Sequence, residues 1–345
     1  MSALTPIVLI NALLNIVTLT LYRFWAKTRV RRFLWSGTSL LGDRFEYSGT
    51  AKELFLGFLI VLSVLILPAI GLNMAAQAFL AERDPPRYAA FVVIFYLVAL
   101  FLFGMAIYRA RRFRLSRTSW RGIRPALIGS SAIYGLMHMG IYLANSITMG
   151  WAVPWGRLRL MEQMMSQTYF GDRPFRFQGG AGPLYGRFAA FWFGSLAIVL
   201  VGIGFSAAVV GIGQALGGKQ GSIGTGTGVG TVMAILLGLV LIASLYAWYK
   251  AKELAYFAEC TSFEGLSFRF DATTRSLLRL VLGNYLIIIL TLSFGYPYAQ
   301  LRNFRYLCQR LEATGEVDFA SIRQSAAARP SVGEGLADAF DVGTI

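Results

Sequence analysis

Long apolar runs alternate along this chain with short stretches dense in arginine and aromatic residues. Seven runs stand out, at roughly 5–24, 53–74, 88–108, 127–150, 186–212, 229–250 and 275–297. Most approach the ~20 residues that carry a helix across a hydrocarbon core. The runs are continuous, whereas a transmembrane barrel shows short segments of alternating polarity. A backbone in lipid must satisfy its own polar groups, which favours helices over irregular structure. The pattern predicts an all-α polytopic membrane protein with about seven apolar helices.

Between the runs a unit recurs. Residues 25–49 read WAKTRVRRFLWSGTSLLGDRFEYSG, and a shift of 223 residues lays WYKAKELAYFAECTSFEGLSFRFDA on them without a gap. Trp25 meets Trp248, Lys27 meets Lys250, Thr38 meets Thr261, Gly42 meets Gly265 and Phe45 meets Phe268. A shift of 130 brings Trp25 onto Trp155, Arg29 onto Arg159 and Thr38 onto Thr168. A shift of 80 places Arg29, Arg31 and Arg32 on Arg109, Arg111 and Arg112. A shift of 273 aligns the first helix itself: Asn11 with Asn284, Thr18 with Thr291, Trp25 with Tyr298, Arg29 with Arg302 and Arg32 with Arg305. Five copies result, near 22–50, 102–130, 152–180, 245–273 and 295–320. The second lacks the aromatic hairpin and the fifth has lost the Thr. Residues 1–318 read as a single membrane domain in an internally repeated arrangement, and 319–345 as a small polar, loosely attached tail.

Each part of the unit has a physical role. Trp or Tyr at the end of an apolar helix fits the aromatic belt at head-group level. Bases one to two turns later reach lipid phosphates while their stems lie along apolar surface. The interfacial, anionic-lipid candidates are therefore Trp25, Arg29, Arg31, Arg32, Arg109, Arg111, Arg112, Trp155, Arg159, Trp248, Lys250, Arg302 and Arg305. The pattern TxxxGxxFxFxG then changes period. Gly42 reads as a turn, and Phe45-Glu46-Tyr47 alternates like a strand. Short aromatic hairpins at the interface are expected, packed against neighbouring copies or against lipid.

These residues carry a family resemblance. TLTLYRFWAKTRVRRFLW followed by TSLLGDRFEYSGTAKELFLGFL is similar to the bacterial YjgN-like inner-membrane family, a domain of unknown function. The match is specific over 15–60, recurs at 148–188 and 246–275, and through the repeats covers most of the chain. Relatives generally begin with a further FxFxG segment before the first helix, which the opening MSALTPIVLI does not show. The resemblance implies a multi-pass protein of the bacterial inner membrane. It implies no substrate, reaction or catalytic residue.

Composition agrees with a membrane setting. Of 345 residues, 56% are hydrophobic and only 14% charged, against about 25% in an ordinary soluble domain. The formal charge of +15 sits beside apolar runs, so anionic lipid head groups are a more economical partner than nucleic acid. Cys260 and Cys308 have no metal spacing, and the lone His138 lies in an apolar run. No carboxylate–His or Cys–His spacing supports catalysis, so no enzyme, cofactor or metal is expected.

Polar residues inside the runs are the other candidates: Asn11, Asn15, Thr18, Asn145, Thr148, Asn284 and Thr291. Such groups are expensive in lipid and are expected to face other helices, with a polar pathway as the sharper reading. Two functions follow. The first is a structural or lipid-interacting protein acting through its basic-aromatic segments. The alternative is a transporter or channel for a small solute, suggested by internal duplication.

Topology divides two arguments. The first run reads as a retained helix with its N-terminus outside, and the connections near 81–87 and 217–230, poor in net positive charge, read as outside loops, the second flexible. Strict alternation of seven spans puts 25–52 and 109–126 inside but 151–185 and 251–274 outside. Similarity of the units instead puts all five on one side, which requires 127–150 and 275–297 to re-enter rather than cross.

Overall fold

The computed structural model describes residues 5–215 and 222–325. Among the described residues four helices are long and apolar enough to cross a membrane, and they form two pairs. The first pair joins Ala51–Leu80 to α5 (Pro85–Arg117). Its first member comprises α3 (Ala51–Val61), a π-helical turn (Leu62–Ile66) and α4 (Leu67–Leu80). Pro68 explains the π turn: it lacks an N–H and crowds the preceding turn, and the Leu67 N–H falls back to the Leu62 carbonyl. The second pair is α8 (Gly182–Ala215) with α9 (Ser222–Glu259). The stretch 217–230, expected to be a flexible loop, is thus helical from Ser222 onward. In an apolar setting the helix's own hydrogen bonds outweigh the low propensity of its glycines. Residues 216–221 lie outside the described chain.

The other three apolar runs are shorter helices: α1 (Thr5–Val17), α6 (Ser131–Ile147) and α10 (Thr274–Leu290). At 13, 17 and 17 residues they reach ~20–26 Å, short of a ~30 Å hydrocarbon core. Each runs into a tight reversal and a basic helix: α2 (Arg23–Ser36), α7 (Val153–Ser166) and α11 (Tyr296–Arg310).

The three reversals are built alike. Two successive residues take positive φ in each: Leu19 and Thr20, Met149 and Gly150, Leu292 and Ser293. The hydroxyls of Thr18, Thr148 and Thr291 donate to the carbonyls of Leu14, Ala144 and Ile287 at 2.6, 2.7 and 2.6 Å. The same oxygens accept the N–H of Tyr22, Ala152 and Gly295 at 3.0, 3.0 and 2.7 Å. The next backbone bond is also shared: Thr20, Gly150 and Ser293 donate to the carbonyls of Asn15, Asn145 and Ile288, each at 2.7 Å. Each Thr therefore ties the end of one helix to the start of the next. Thr148→Val keeps the shape and removes both bonds, so it should cost about 1–2 kcal/mol. Denaturant unfolding in mixed micelles would read this, and parental stability would remove the hydroxyl from the account.

The first four basic segments each run into short paired strands and the fifth into a single strand, and these join edge to edge. The strands are β1 (Ser39–Leu40), β2 (Asp43–Tyr47), β3 (Thr118–Trp120), β4 (Pro125–Leu127), β5 (Thr168–Phe170), β6 (Arg173–Pro174), β7 (Arg176–Phe177), β8 (Thr261–Phe263), β9 (Leu266–Phe270) and β10 (Leu311–Thr314). The later strand of one hairpin pairs antiparallel with the first strand of the next. Phe45 lies opposite Trp120, Leu127 opposite Thr168, Phe177 opposite Thr261 and Phe270 opposite Leu311. The turns behave as the TxxxG spacing implies. Leu41-Gly42 and Glu264-Gly265 both carry two positive φ angles, the twist that a two-residue hairpin loop needs and that glycine accepts most readily. The hydroxyls of Thr38, Thr118, Thr168 and Thr261 each donate to the carbonyl four residues back, closing the helix before the strand begins.

Where the hairpins converge, Trp120, Phe170, Phe263 and Ile322 form a buried cluster, with Phe45, Phe175, Phe268, Val317 and Phe319 packed against it. Each of the segments 22–50, 102–130, 152–180, 245–273 and 295–320 contributes. Residues 25–52, 109–126, 151–185 and 251–274 therefore gather at one end of the molecule, and a strictly alternating path, which parts them across a bilayer, does not fit these contacts. The beginning of the polar tail is docked there too. Phe319 meets the Trp120 ring edge-on at 5.0 Å, and the Arg323 N–H donates to Asp172 Oδ1 at 3.1 Å. Residues 326–345 lie outside the described chain.

Candidate functional site

The end formed by the hairpins and the basic helices is the part of the molecule richest in chemistry. The elements around it close a ring. Gly104 and Gly135 let α5 and α6 approach closely around His138. The Trp151 turn packs on Tyr185, Phe188 and Trp192 of α8. Ala247 and Ala251 of α9 pack on Leu277 of α10. Trp35 of α2 stacks on Phe304 of α11 at 5.4 Å. Phe24 of α2, with Leu54 and Phe113, returns the ring to the first pair of long helices.

The interfacial candidates fall into two groups. Trp25 and Trp155 are 39% and 40% exposed, and Trp25 leans on Tyr22 and Phe55. Arg29, Arg32, Arg109, Arg159 and Arg305 are exposed, whereas Trp248, Lys250, Arg112 and Arg302 are half-buried. Several exposed guanidiniums are tethered. Arg32 donates to the Gly49 carbonyl at 2.9 Å, Arg109 to Ser131 at 3.2 Å, and Arg159 pairs with Glu162 at 2.8 Å. Arg31 and Arg111 serve the interior. Arg31 is buried and donates to the Tyr47 hydroxyl at 3.2 Å, while Arg111 points to the Met165 sulfur at 3.6 Å. Arg302 folds over Gly283 and donates to the Arg279 carbonyl at 3.4 Å.

Two carboxylates organise this layer, and neither was singled out from the sequence. Glu253 on α9 is fully buried. Arg157 of α7 donates to both its oxygens at 3.2 and 2.9 Å, Tyr249 donates at 3.1 Å, and Lys250 closes the cluster. Glu53 caps the start of α3 through Thr50 and receives a two-pronged bond from Arg117 at 3.2 and 2.7 Å. The Thr50-x-x-Glu53 capping box was readable in the sequence. Only the fold brings Arg157 to Glu253.

The intramembrane polar candidates stay distributed over three hairpins. Thr18, Thr148 and Thr291 are spent on the reversals described above. Asn11 and Asn284 are buried, and Asn284 Nδ2 donates to Asn303 Oδ1 at 2.6 Å, tying α10 to α11. Asn15 and Asn145 are half-buried and lend their carbonyls to the reversals. Both polar side-chain atoms of Asn11 are buried without a hydrogen bond among the described residues. Cys260 follows α9 within the sheet layer, and burial pushes its thiol above the ordinary range; Cys308 near the end of α11 is raised by the same cause.

Four apolar helices of spanning length, under a layer of arginine and aromatic residues, define a helical membrane protein. The chain belongs to a family described as bacterial protein of unknown function (DUF898), whose model matches residues 1–339. The YjgN-like family that the Trp-Arg-aromatic motif resembles is this one. No curated protein and no solved structure matches the chain.

Proposed function

We propose that the protein is a multi-pass, lipid-interacting protein of the bacterial inner membrane that grips the cytoplasmic leaflet through an internally repeated basic-aromatic layer. The aromatic cluster shared by all five units supports this most directly, because it gathers the Arg-rich segments at one end. Four helices cross, the three short helices re-enter, and the positive-inside rule sets the layer in the cytoplasm. Exposed Arg29, Arg32, Arg109, Arg159 and Arg305 then meet anionic head groups, each typically favoured by about 1 kcal/mol near such a surface. The transporter reading has less support, since the recurring threonines already have a structural task in the reversals.

The two cysteines test the arrangement. An impermeant thiol reagent should label neither Cys260 nor Cys308 in intact spheroplasts, and both after permeabilisation. Because both thiols are raised, the thiolate fraction at neutral pH is small and labelling should accelerate as pH rises toward the shifted values. Labelling of Cys260 in intact cells, with Cys308 protected, would restore the seven-span arrangement. Lipid binding is read separately, by flotation with vesicles containing or lacking phosphatidylglycerol. Changing the five exposed arginines to Gln should reduce the preference for the anionic vesicles, and an unchanged preference would remove the head-group claim.

A further inference from the structure

The three short hairpins are apolar outward along their first helices, and most of all at their tips. Leu19, Met149 and Leu292 are 85%, 81% and 82% exposed. Side chains this apolar and this bare need hydrocarbon around them. The belt residues of the return helices, Trp25, Trp155 and Tyr298, lie only six residues beyond the tips in sequence. Tip and belt together place the reversals inside one leaflet. The long helices continue past them: Trp192 of α8, which donates to the Met149 carbonyl at 3.1 Å, is followed by more than five further turns of helix before Ala215.

The two leaflets therefore hold different amounts of protein. At the level of the hairpins the chain presents ten helix sections, the four long helices plus α1, α2, α6, α7, α10 and α11. Beyond the tips only the four long helices remain among the described residues. With a helix diameter of ~10 Å, a section is roughly 80 Å², so the leaflets hold roughly 800 and 300 Å². The aromatic cluster and the Glu253 pairs hold the wide end together, so the excess area cannot relax by splaying.

We propose that the protein is a one-leaflet wedge, which partitions to membrane that is convex on the side of its basic layer. The inference rests on the re-entrant reading above and goes beyond it, since hairpins can re-enter without responding to curvature. The basic ring adds to the same preference, because convexity opens gaps between anionic head groups that Arg and Trp side chains can fill.

The test uses the full chain with Cys260→Ser, carrying a fluorophore on Cys308. It is reconstituted into phosphatidylethanolamine–phosphatidylglycerol vesicles of a broad size range, tethered singly. Protein per membrane area should rise several-fold from the largest to the smallest vesicles, with the fluorophore facing outward and open to an impermeant quencher. Equal density at all sizes, or random orientation in the smallest, overturns the wedge. The re-entrant reading is checked in the same vesicles with Leu19→Cys, Met149→Cys and Leu292→Cys. Tips that react with an impermeant reagent from the side opposite the basic layer refute re-entry, and the wedge with it. Tips unreactive from both faces, together with a flat density, leave re-entry standing and remove the wedge alone.

Discussion

Glu253→Gln should unfold the layer that the wedge depends on, with a loss of about 3 kcal/mol. The carboxylate has no exposed surface and holds Arg157 and Lys250. Removing one partner of such a cluster leaves the other charges without compensation, which typically costs about 3–5 kcal/mol. The low end applies because the Arg157 and Lys250 side chains are 37% and 29% exposed, so both can swing toward head groups or water once released. The Tyr249 hydroxyl, which now donates to Glu253 at 3.1 Å, would keep an amide acceptor in Gln. The measured quantity is unfolding free energy in mixed micelles, with Arg157→Gln and the double variant completing a cycle. The double variant should cost clearly less than the two singles added. Strict additivity, or a loss near zero for Glu253→Gln, would show that the cluster does not hold α7 to α9.

What the sequence revealed and what it concealed divide along physical lines. Helix-forming runs and turn glycines are local properties, so Gly42 and Gly265 were readable as turns and their positive φ angles follow. The Thr at positions 38, 118, 168 and 261 could be aligned, but their shared bond to the preceding helix emerges only with the backbone in place. Run length misled in three places. The stretches 5–24, 127–150 and 275–297 read as ~20-residue spans because apolar composition continues through the reversal. The helices stop earlier, at Val17, Ile147 and Leu290. The stop signal is a Thr whose hydroxyl bonds the residue four back, and an apolar average does not register it.

The charged layer was half legible. Density of arginine near helix ends located the layer, but it treated every base alike. Arg31 and Arg111 turn inward because their positions on the helix face a neighbour, Tyr47 in one case and Met165 in the other. Glu253 carries no local signal, since it lies just beyond the apolar run at 229–250, in a stretch that reads as ordinary helix surface. Its meaning depends on α7, nearly a hundred residues earlier in the chain, being folded against it.

Trp120→Ala is expected to be the most damaging single change, at about 3–5 kcal/mol for a large aromatic removed from a packed core. Trp120 is only 2% exposed. Its ring lies 6.3 Å from Phe45, 5.8 Å from Phe170 and 5.0 Å from Phe319, so it touches the first, third and fifth units while belonging to the second. Its indole N–H donates to the carbonyls of Leu40 and Asp43, each at 3.3 Å, which holds the first hairpin closed. Truncation therefore leaves a cavity at the meeting point of four units and frees two carbonyls in the same step. Trp120→Phe separates these terms: it retains most of the ring contact and loses the indole donor, so it should cost roughly a third as much. Hydrogen exchange gives the spatial readout. In Trp120→Ala, protection should fall in Asp43–Tyr47 and Thr168–Phe170 together, because both strands lean on the same ring. Trp25→Ala is the contrast, since that side chain is 39% exposed; its cost in micelles should stay below about 1 kcal/mol, within the range of surface changes. If Trp25→Ala proved the more costly of the two, the aromatic cluster would not be the centre that joins the five units.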